Sequence, residues 1–564
     1  MKKQGFLLGS FILITSVIIT KLIGLAFKVP LANILGGTGM GYFSCAYAIF
    51  MPVYAVCVTG LPSAVSRMVA ENMAFERYAN VRKIRRLAIL GFAFIGLIST
   101  ALIIAFATPF TKHIVGNEDS LPSVIAIAPC ILFGAVLSVY RGYFEGMRNM
   151  FPTAISQIIE SMIKLICGLG FAYFALLYFN NSFEQTGKVL GIVCDNIEQA
   201  QHIALPYVAA CAILGVTISS AIALLYMMIR FRFFGDGITK EMLKQDKDTD
   251  RRRVLLRQLM SIVIPIAIGS VVTNLTSLID LGTIINLLKT SISENPEYYN
   301  ANFSNILNEN FTLEMLPNFI YGSFTGLAIT VFNLVPSLTN MFGKGVLPNL
   351  AEAWATSDTE RITKNVNSVI GVTCLIAIPS GIGISVLSKP ILNLLYSSRP
   401  DEILAVWHSM GILGIGVIFL ALSVPAFAML QAIGRADLPV KIMLFGVVIK
   451  LIGNIALMTN PKINVSGAAI STTLCYLFIC IVSLRALKKL TNARFDIKAL
   501  YVVPSFSAIL CGATAYLVND VLSNKISGKI SVLTAIVAGG LIYLLSLYLL
   551  DAIGGKKFRT LLLK

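Results

Sequence analysis

Apolar runs long enough to cross a bilayer recur from one end of the chain to the other, separated by short polar and charged stretches. A spanning helix needs about 20 apolar residues. On that criterion the sequence predicts spans at 6–27, 41–69, 87–109, 122–140, 152–179, 204–229 and 257–288. They continue at 317–343, 363–387, 403–431, 441–459, 467–484, 499–519 and 530–551. Several exceed the minimum length, which permits tilt or a break at internal Pro or Gly. The alternating ten-residue segments of a membrane barrel are missing. The expected fold class is an all-α integral membrane protein of about 14 transmembrane helices.

Composition agrees with this reading. Of 564 residues, 56% are hydrophobic and 13% charged, and the mean hydropathy is +0.80. A water-soluble globule cannot hide that much apolar side chain, so lipid must cover the remainder. Met1-Lys2-Lys3 and the following apolar run resemble a signal peptide. Lys21 and Lys28 interrupt the run and no small-residue cleavage site follows, so it is read as an uncleaved first helix.

The net charge of +17 is carried by short loops, not by a basic surface interleaved with aromatics. This excludes nucleic acid as the expected partner and favours anionic headgroups and an anionic substrate. One alternating set of loops holds Arg77, Arg82, Lys83, Arg85 and Arg86, then Arg141 and Arg148, then Arg251, Arg252 and Arg253. Arg485, Lys488, Lys489 and the tail Lys556, Lys557 and Arg559 belong to the same set. With about 33 Lys/Arg on that side and about 9 on the other, both termini are expected in the cytoplasm. The ten cysteines are scattered singly, without a metal-ligand or disulfide pattern. No cofactor is expected, and the three histidines, His113, His202 and His408, are isolated.

The chain also repeats itself. Leu61-Pro62 recurs at Leu347-Pro348, Arg148 and Pro152 recur as Arg435 and Pro439, and Ile163-Lys164-Leu165-Ile166 recurs as Ile449-Lys450-Leu451-Ile452. The common offset spans an even number of helices, so both halves share one orientation, and in such repeats substrate sites lie at the repeat interface. The expected organisation is an N-terminal six-helix lobe over 1–240 and a second over 241–490, arranged around a central cavity. Two additional helices and a cytoplasmic tail occupy 491–564. The polar segment from Ser291 to Glu314 is the main insertion, expected outside the cell.

Three lysines fall inside spans: Lys21, Lys164 and Lys450, with Lys28 nearer the outer boundary. At about 1.5 Å per residue, Lys164 lies about 18 Å past Pro152 and Lys450 about 14 Å past Lys441. A lysine facing lipid at such depth costs about 2.5–3.5 kcal/mol. Lys164 and Lys450 are therefore expected to face an internal aqueous cavity. Glu160 precedes Lys164 by one turn, so a self-neutralising Glu160–Lys164 pair is an open alternative. Asp280 is expected at the outer interface, and Arg67 and Arg141 at solvated helix ends. A cavity with several lysines against one glutamate attracts phosphate or pyrophosphate and repels organic cations. Pro52, Gly60, Pro62, Pro336, the Pro379–Gly383 stretch and Pro425 are candidate hinges.

Several segments together resemble a known family. Thr20-Lys21-Leu22-Ile23-Gly24 with Lys28 resembles the first helix of the polysaccharide-exporter branch of the MOP superfamily. Gly60-Leu61-Pro62-Ser63-Ala64-Val65-Ser66 followed by Val69-Ala70-Glu71 resembles the end of that family's second helix. Pro152-Thr153-Ala154-Ile155-Ser156-Gln157-Ile158-Ile159-Glu160 resembles the signature of the stage V sporulation protein B group, related to the MurJ lipid II flippases. Gly467-Ala468-Ala469 with Thr472 also fits that group. The resemblance implies two six-helix lobes, two extra C-terminal helices and an undecaprenyl-pyrophosphate-linked saccharide as substrate, lipid II foremost. It implies a bacterial cytoplasmic membrane as location, and basic first-helix residues, here Lys21 and Lys28, meeting the pyrophosphate. The Asp-Arg pair that MurJ carries early in its eighth helix is missing around Tyr321–Gly326.

The expected function is thus a flippase working by alternating access, not an enzyme. Its expected substrate-binding residues are Lys21, Lys28, Glu160, Lys164 and Lys450. The alternative is a cation-coupled multidrug exporter of the MATE type, which would need cavity carboxylates; Glu160 is the candidate for that role. A monovalent coupling ion and the oligomeric state stay open. A membrane enzyme would need a polar loop with paired acids, bases or metal ligands, and the loops at 180–201 and near Glu314 offer none.

Overall fold

The computed structural model describes residues 6–245, 249–493 and 498–553. The charges counted at Lys2, Lys3, Lys556, Lys557 and Arg559 lie outside the described residues. The protein is built from helices, and the contacts divide it into two units, Met1–Gly282 and Thr283–Lys564.

In the first unit α1 (Phe6–Tyr54) is broken at Gly36, whose φ of 62° leaves the helical region. A π-helical turn at Ala55–Thr59 leads into α2 (Leu61–Ala74). Next come α3 (Tyr78–Pro109), α4 (Leu121–Ile127), α5 (Pro129–Gly146), α6 (Phe151–Thr186), α7 (Ile197–Phe234) and α8 (Lys240–Gln245). The loop between α6 and α7 forms a small antiparallel hairpin, β1 (Lys188–Val189) and β2 (Ile192–Val193). Leu190 and Gly191 turn it with positive φ.

Helix α9 (Arg252–Glu294) carries the division point at Gly282 within it. The reason is local packing. In the first half, Ile266 lies against Gly60 just ahead of α2, whereas beyond the division Thr283 bonds Asn454 of the second unit.

The second unit continues with α10 (Pro296–Asn302), α11 (Leu316–Ser323), α12 (Ile329–Phe332), α13 (Leu334–Ala355), α14 (Thr359–Val386) and α15 (Ser388–Leu395). It closes with α16 (Pro400–Ala432), α17 (Asp437–Met458), α18 (Ser466–Thr491), α19 (Val503–Ser523) and α20 (Gly528–Ile553). Helix α16 is central, packed by α13, α14 and α18, while the α19–α20 pair leans on α14 and α15. Within the insertion, buried Tyr299 on α10 shares a hydrogen bond with Ser291 at 2.9 Å.

Among the described residues 12 helices are long and apolar enough to cross a membrane, or 13 when the bent pair Leu316–Phe332 and Leu334–Gly343 counts as one span. The expected count of fourteen is not established. The difference lies in Thr15–Ala74, a single 60-residue candidate that covers the two spans expected at 6–27 and 41–69. The bend of 40° before Leu334 sits beside Pro336, one of the expected hinges. The protein is a multi-pass, all-helical membrane protein.

Candidate functional site

The charged groups inside the first unit gather where α1, α5, α6 and α7 meet. Helices α6 and α7 approach closely because two glycines face each other: a Cβ on Gly215 would lie 2.4 Å from Gly168 Cα. Phe27 of α1 packs onto Gly168 as well, so its ring lies one turn beyond Lys164 on α6. The Lys164 ammonium sits 5.0 Å from the centre of the Phe27 ring and 5.5 Å from that of Tyr47, within cation–π range. Lys28 lies close enough to feel the charge of Lys164 and then of Lys21. The structure therefore brings Lys21, Lys28 and Lys164 into one electrostatic neighbourhood.

The self-neutralising Glu160–Lys164 pair that the sequence left open as an alternative is not the one formed: Glu160 pairs with Arg141. Arg141 of α5 donates from Nη2 to Glu160 Oε2 at 2.8 Å and from Nε to Ser156 Oγ at 2.9 Å. Ser220 of α7 donates to the other Glu160 oxygen at 2.9 Å and lies 3.3 Å from Cys130 Sγ. One turn of separation makes Lys164 an available partner, but a guanidinium reaches a carboxylate with directed, charge-assisted geometry that an ammonium lacks.

Arg141 is the residue that sequence reasoning missed. Expected at a solvated helix end, its side chain is only 13% exposed, against 23% for Glu160. The end of α5 is not free in water: a Cβ on Gly142 would lie 2.6 Å from the Pro62 carbonyl oxygen, so α2 presses directly on it. The signal was the glycine spacing Gly134, Gly142 and Gly146 around Arg141, which marks a face in contact with another helix rather than with solvent. The site thus gathers four cations, Lys21, Lys28, Lys164 and Arg141, against Glu160 and, one turn from Arg141 on α5, Glu145.

Lys450 lies in the second unit, on α17. It is the fourteenth residue of α17, as Lys164 is of α6, so the repeat places the two lysines at equal depth in their own helices. The expected water-facing position does not hold for Lys450, which is 3% exposed. One turn on, Asn454 donates to Thr283 Oγ1 at 2.8 Å and accepts from Ser471 Oγ. Lys450 is itself engaged in an interaction inside this unit, one turn from that polar cluster. Asp280, expected at the outer interface, is likewise buried and engaged.

A groove of about 610 Å³ in the second unit is lined by residues of α14, α19 and α20 such as Leu375, Pro379, Val537 and Tyr543. Its lining is almost wholly apolar, so it has nothing with which to hold an anionic headgroup. Among the described residues no group of three or more His, Cys, Asp or Glu could hold a metal ion.

A family profile described as polysaccharide biosynthesis protein matches residues 6–329, and one described as lipid II flippase MurJ matches residues 321–546. Stage V sporulation protein B of Bacillus subtilis (strain 168) is 22% identical over 562 residues, covering 100% of this chain and 98% of that protein. The solved lipid II flippase MurJ, in an inward closed conformation, superposes with a TM-score of 0.60 at 15% identity. That match covers 97% of this chain and 99% of the other. An inward-facing multidrug resistance MATE family transporter of the MOP superfamily gives 0.61 at 12% identity, over 86% and 98% of the two chains. At such identities the solved structures establish the fold alone. The first of the two family profiles covers more than half of the chain, so the protein belongs to the polysaccharide biosynthesis protein family, and is a transporter rather than an enzyme.

Proposed function

We propose that this transporter is a flippase that moves an undecaprenyl-pyrophosphate-linked saccharide, of the lipid II type, across the bacterial cytoplasmic membrane by alternating access. The observation that carries this reading is the charge balance of the first unit, where Lys21, Lys28, Lys164 and Arg141 outnumber the neighbouring carboxylates, Glu160 and Glu145. A pyrophosphate is the chemistry that such a surplus of donors accommodates. In this reading Lys21 and Lys28 on α1 and Lys164 on α6 receive the phosphates. Glu160, held by Arg141 and Ser220, is the internal counter-charge that keeps the empty site tolerable in a low dielectric. Lys450 is the second unit's counterpart, a fixed positive charge that serves the substrate after rearrangement. The two lobes and the cytoplasmic placement of both termini expected from the sequence belong to the same proposal.

The test is transbilayer movement of fluorescent lipid II in proteoliposomes, comparing wild type with Lys21→Ala and Lys164→Ala. Loss in both variants, with folding intact, supports the reading. A wild-type protein that leaves lipid II in place overturns it for that substrate. One observation favours the alternative of a cation-coupled exporter: Glu160 is a carboxylate inside the membrane region, partly exposed. Extrusion of cationic dyes on a sodium or proton gradient, abolished by Glu160→Gln, would establish that reading instead.

A further inference from the structure

The start of α9 breaks two rules of helix electrostatics. Arg251, Arg252, Arg253 and Arg257 crowd its first turns. Cations at a helix N-terminus oppose the macrodipole, and Arg253 and Arg257 are like charges one turn apart. Among the described residues none of the four has an ion-pair partner. The adjacent carboxylate of Asp250 is already taken, by Arg77 at 3.6 Å and by Asn80 at 2.9 Å. The Asp250 backbone is also held, its N–H donating to Asn80 Oδ1 at 3.0 Å and its carbonyl accepting from Lys83. The arginines are thus presented from a fixed base on α3, without an ion pair among the described residues.

Between Arg251, Arg253 and Arg257 lies a recess of about 590 Å³ floored by Val254, Leu256 and Met260. Arg253, Arg257 and Met260 fall on one helix face at i, i+4 and i+7, and exposed Ile264 prolongs that face by one more turn. Guanidinium groups at the mouth above an apolar lane match a phospholipid: a phosphodiester bound by directed N–H donors, with an acyl chain lying below. Free phosphate would use the arginines but gain nothing from the floor.

We propose that the arginine-rich start of α9 is a binding site for one anionic phospholipid of the surrounding leaflet. The site is separate from the lysines of the transport reading and does not depend on what they carry.

Native mass spectrometry of the full chain in detergent, titrated with phosphatidylglycerol or phosphatidylcholine, tests it. Arg253→Gln/Arg257→Gln lowers phosphatidylglycerol affinity about tenfold, equivalent to losing one charge-assisted hydrogen bond. The charge-matched control Lys488→Gln/Lys489→Gln leaves it unchanged, and millimolar inorganic phosphate displaces little lipid. Equal weakening in both double variants means diffuse charge attraction and overturns the proposal, as does no weakening in either. Complete displacement by inorganic phosphate overturns the lipid as occupant. Should the double variant not melt like wild type, Arg253→Gln and Arg257→Gln singly give the same readout.

Discussion

Arg141 and Glu160, nineteen residues apart, meet at 2.8 Å across the contact of α5 and α6. That pair decides the electrostatics of the first unit's interior. It occupies the one carboxylate within a turn of Lys164 and leaves the ammonium against the Phe27 and Tyr47 rings.

Removing Arg141 leaves Glu160 charged in a poorly solvated place. Arg141→Gln should lower stability by about 2 kcal/mol, less than the 3–5 of a fully buried pair because both groups keep some solvent. Arg141→Gln/Glu160→Gln should recover most of that loss. Thermal melting in detergent reads both; a double variant as unstable as the single one would mean that packing, not charge, dominates.

Lys164→Ala should reduce lipid II movement about tenfold or more, while Lys164→Arg, which keeps the charge, retains part of the rate. Proteoliposome rates make the comparison. Equal rates for Lys164→Ala and wild type would take Lys164 out of the transport site.

If two negative charges leave the cytoplasm with each substrate, an inside-negative potential favours transfer by about 4.6 kcal/mol per 100 mV. Collapsing it with an ionophore should slow outward movement in proteoliposomes. A rate indifferent to the potential would show that compensating charge moves with the substrate.

Asp236, just past α7, is 3% exposed and collects Arg82 twice at 3.2 Å, Tyr143 Oη at 2.8 Å and the Ile238 N–H at 3.0 Å. Burial opposes its charge, but these donors win and hold the carboxyl below its ordinary value of 3.8. A depressed folded-state pKa stabilises the protein above the unfolded value, and that contribution disappears as pH falls through the folded one. Asp236→Asn should therefore cost about 2 kcal/mol at neutral pH, with the deficit shrinking below about pH 4. Melting curves of both proteins against pH would show it; a constant gap down to acid would sink the idea.

Gly142 is a packing requirement, since its Cβ would lie 2.7 Å from Pro62 Cα, whereas nothing lies within 4 Å of a Cβ on Gly170. Gly142→Val should destabilise by about 1–3 kcal/mol. Gly170→Ala should be neutral or stabilising, by up to about 1 kcal/mol. Detergent melting of the pair distinguishes a close helix contact from general intolerance of side chains.

The helical membrane class, nearly all span positions and the internal repeat were legible in the sequence, because each depends on apolar length or local identity along one dimension. The equal depth of Lys164 and Lys450 needed the helix starts, Phe151 and Asp437, because the lysines lie 12 residues after Pro152 and 11 after Pro439. Partnerships were not legible. Glu160 had Lys164 one turn away, yet a guanidinium nineteen residues upstream captured it across the α5–α6 contact, while Gly142 seats α5 on Pro62 and Gly168 seats α6 on α1 and α7, approaches that no periodicity encodes. Lys450 reads like Lys164 in sequence but is enclosed, its face shared with Asn454. The order of apolar and charged residues determined what must cross the membrane; helix crossings, set by single glycines and rotamers, decided which charge meets which.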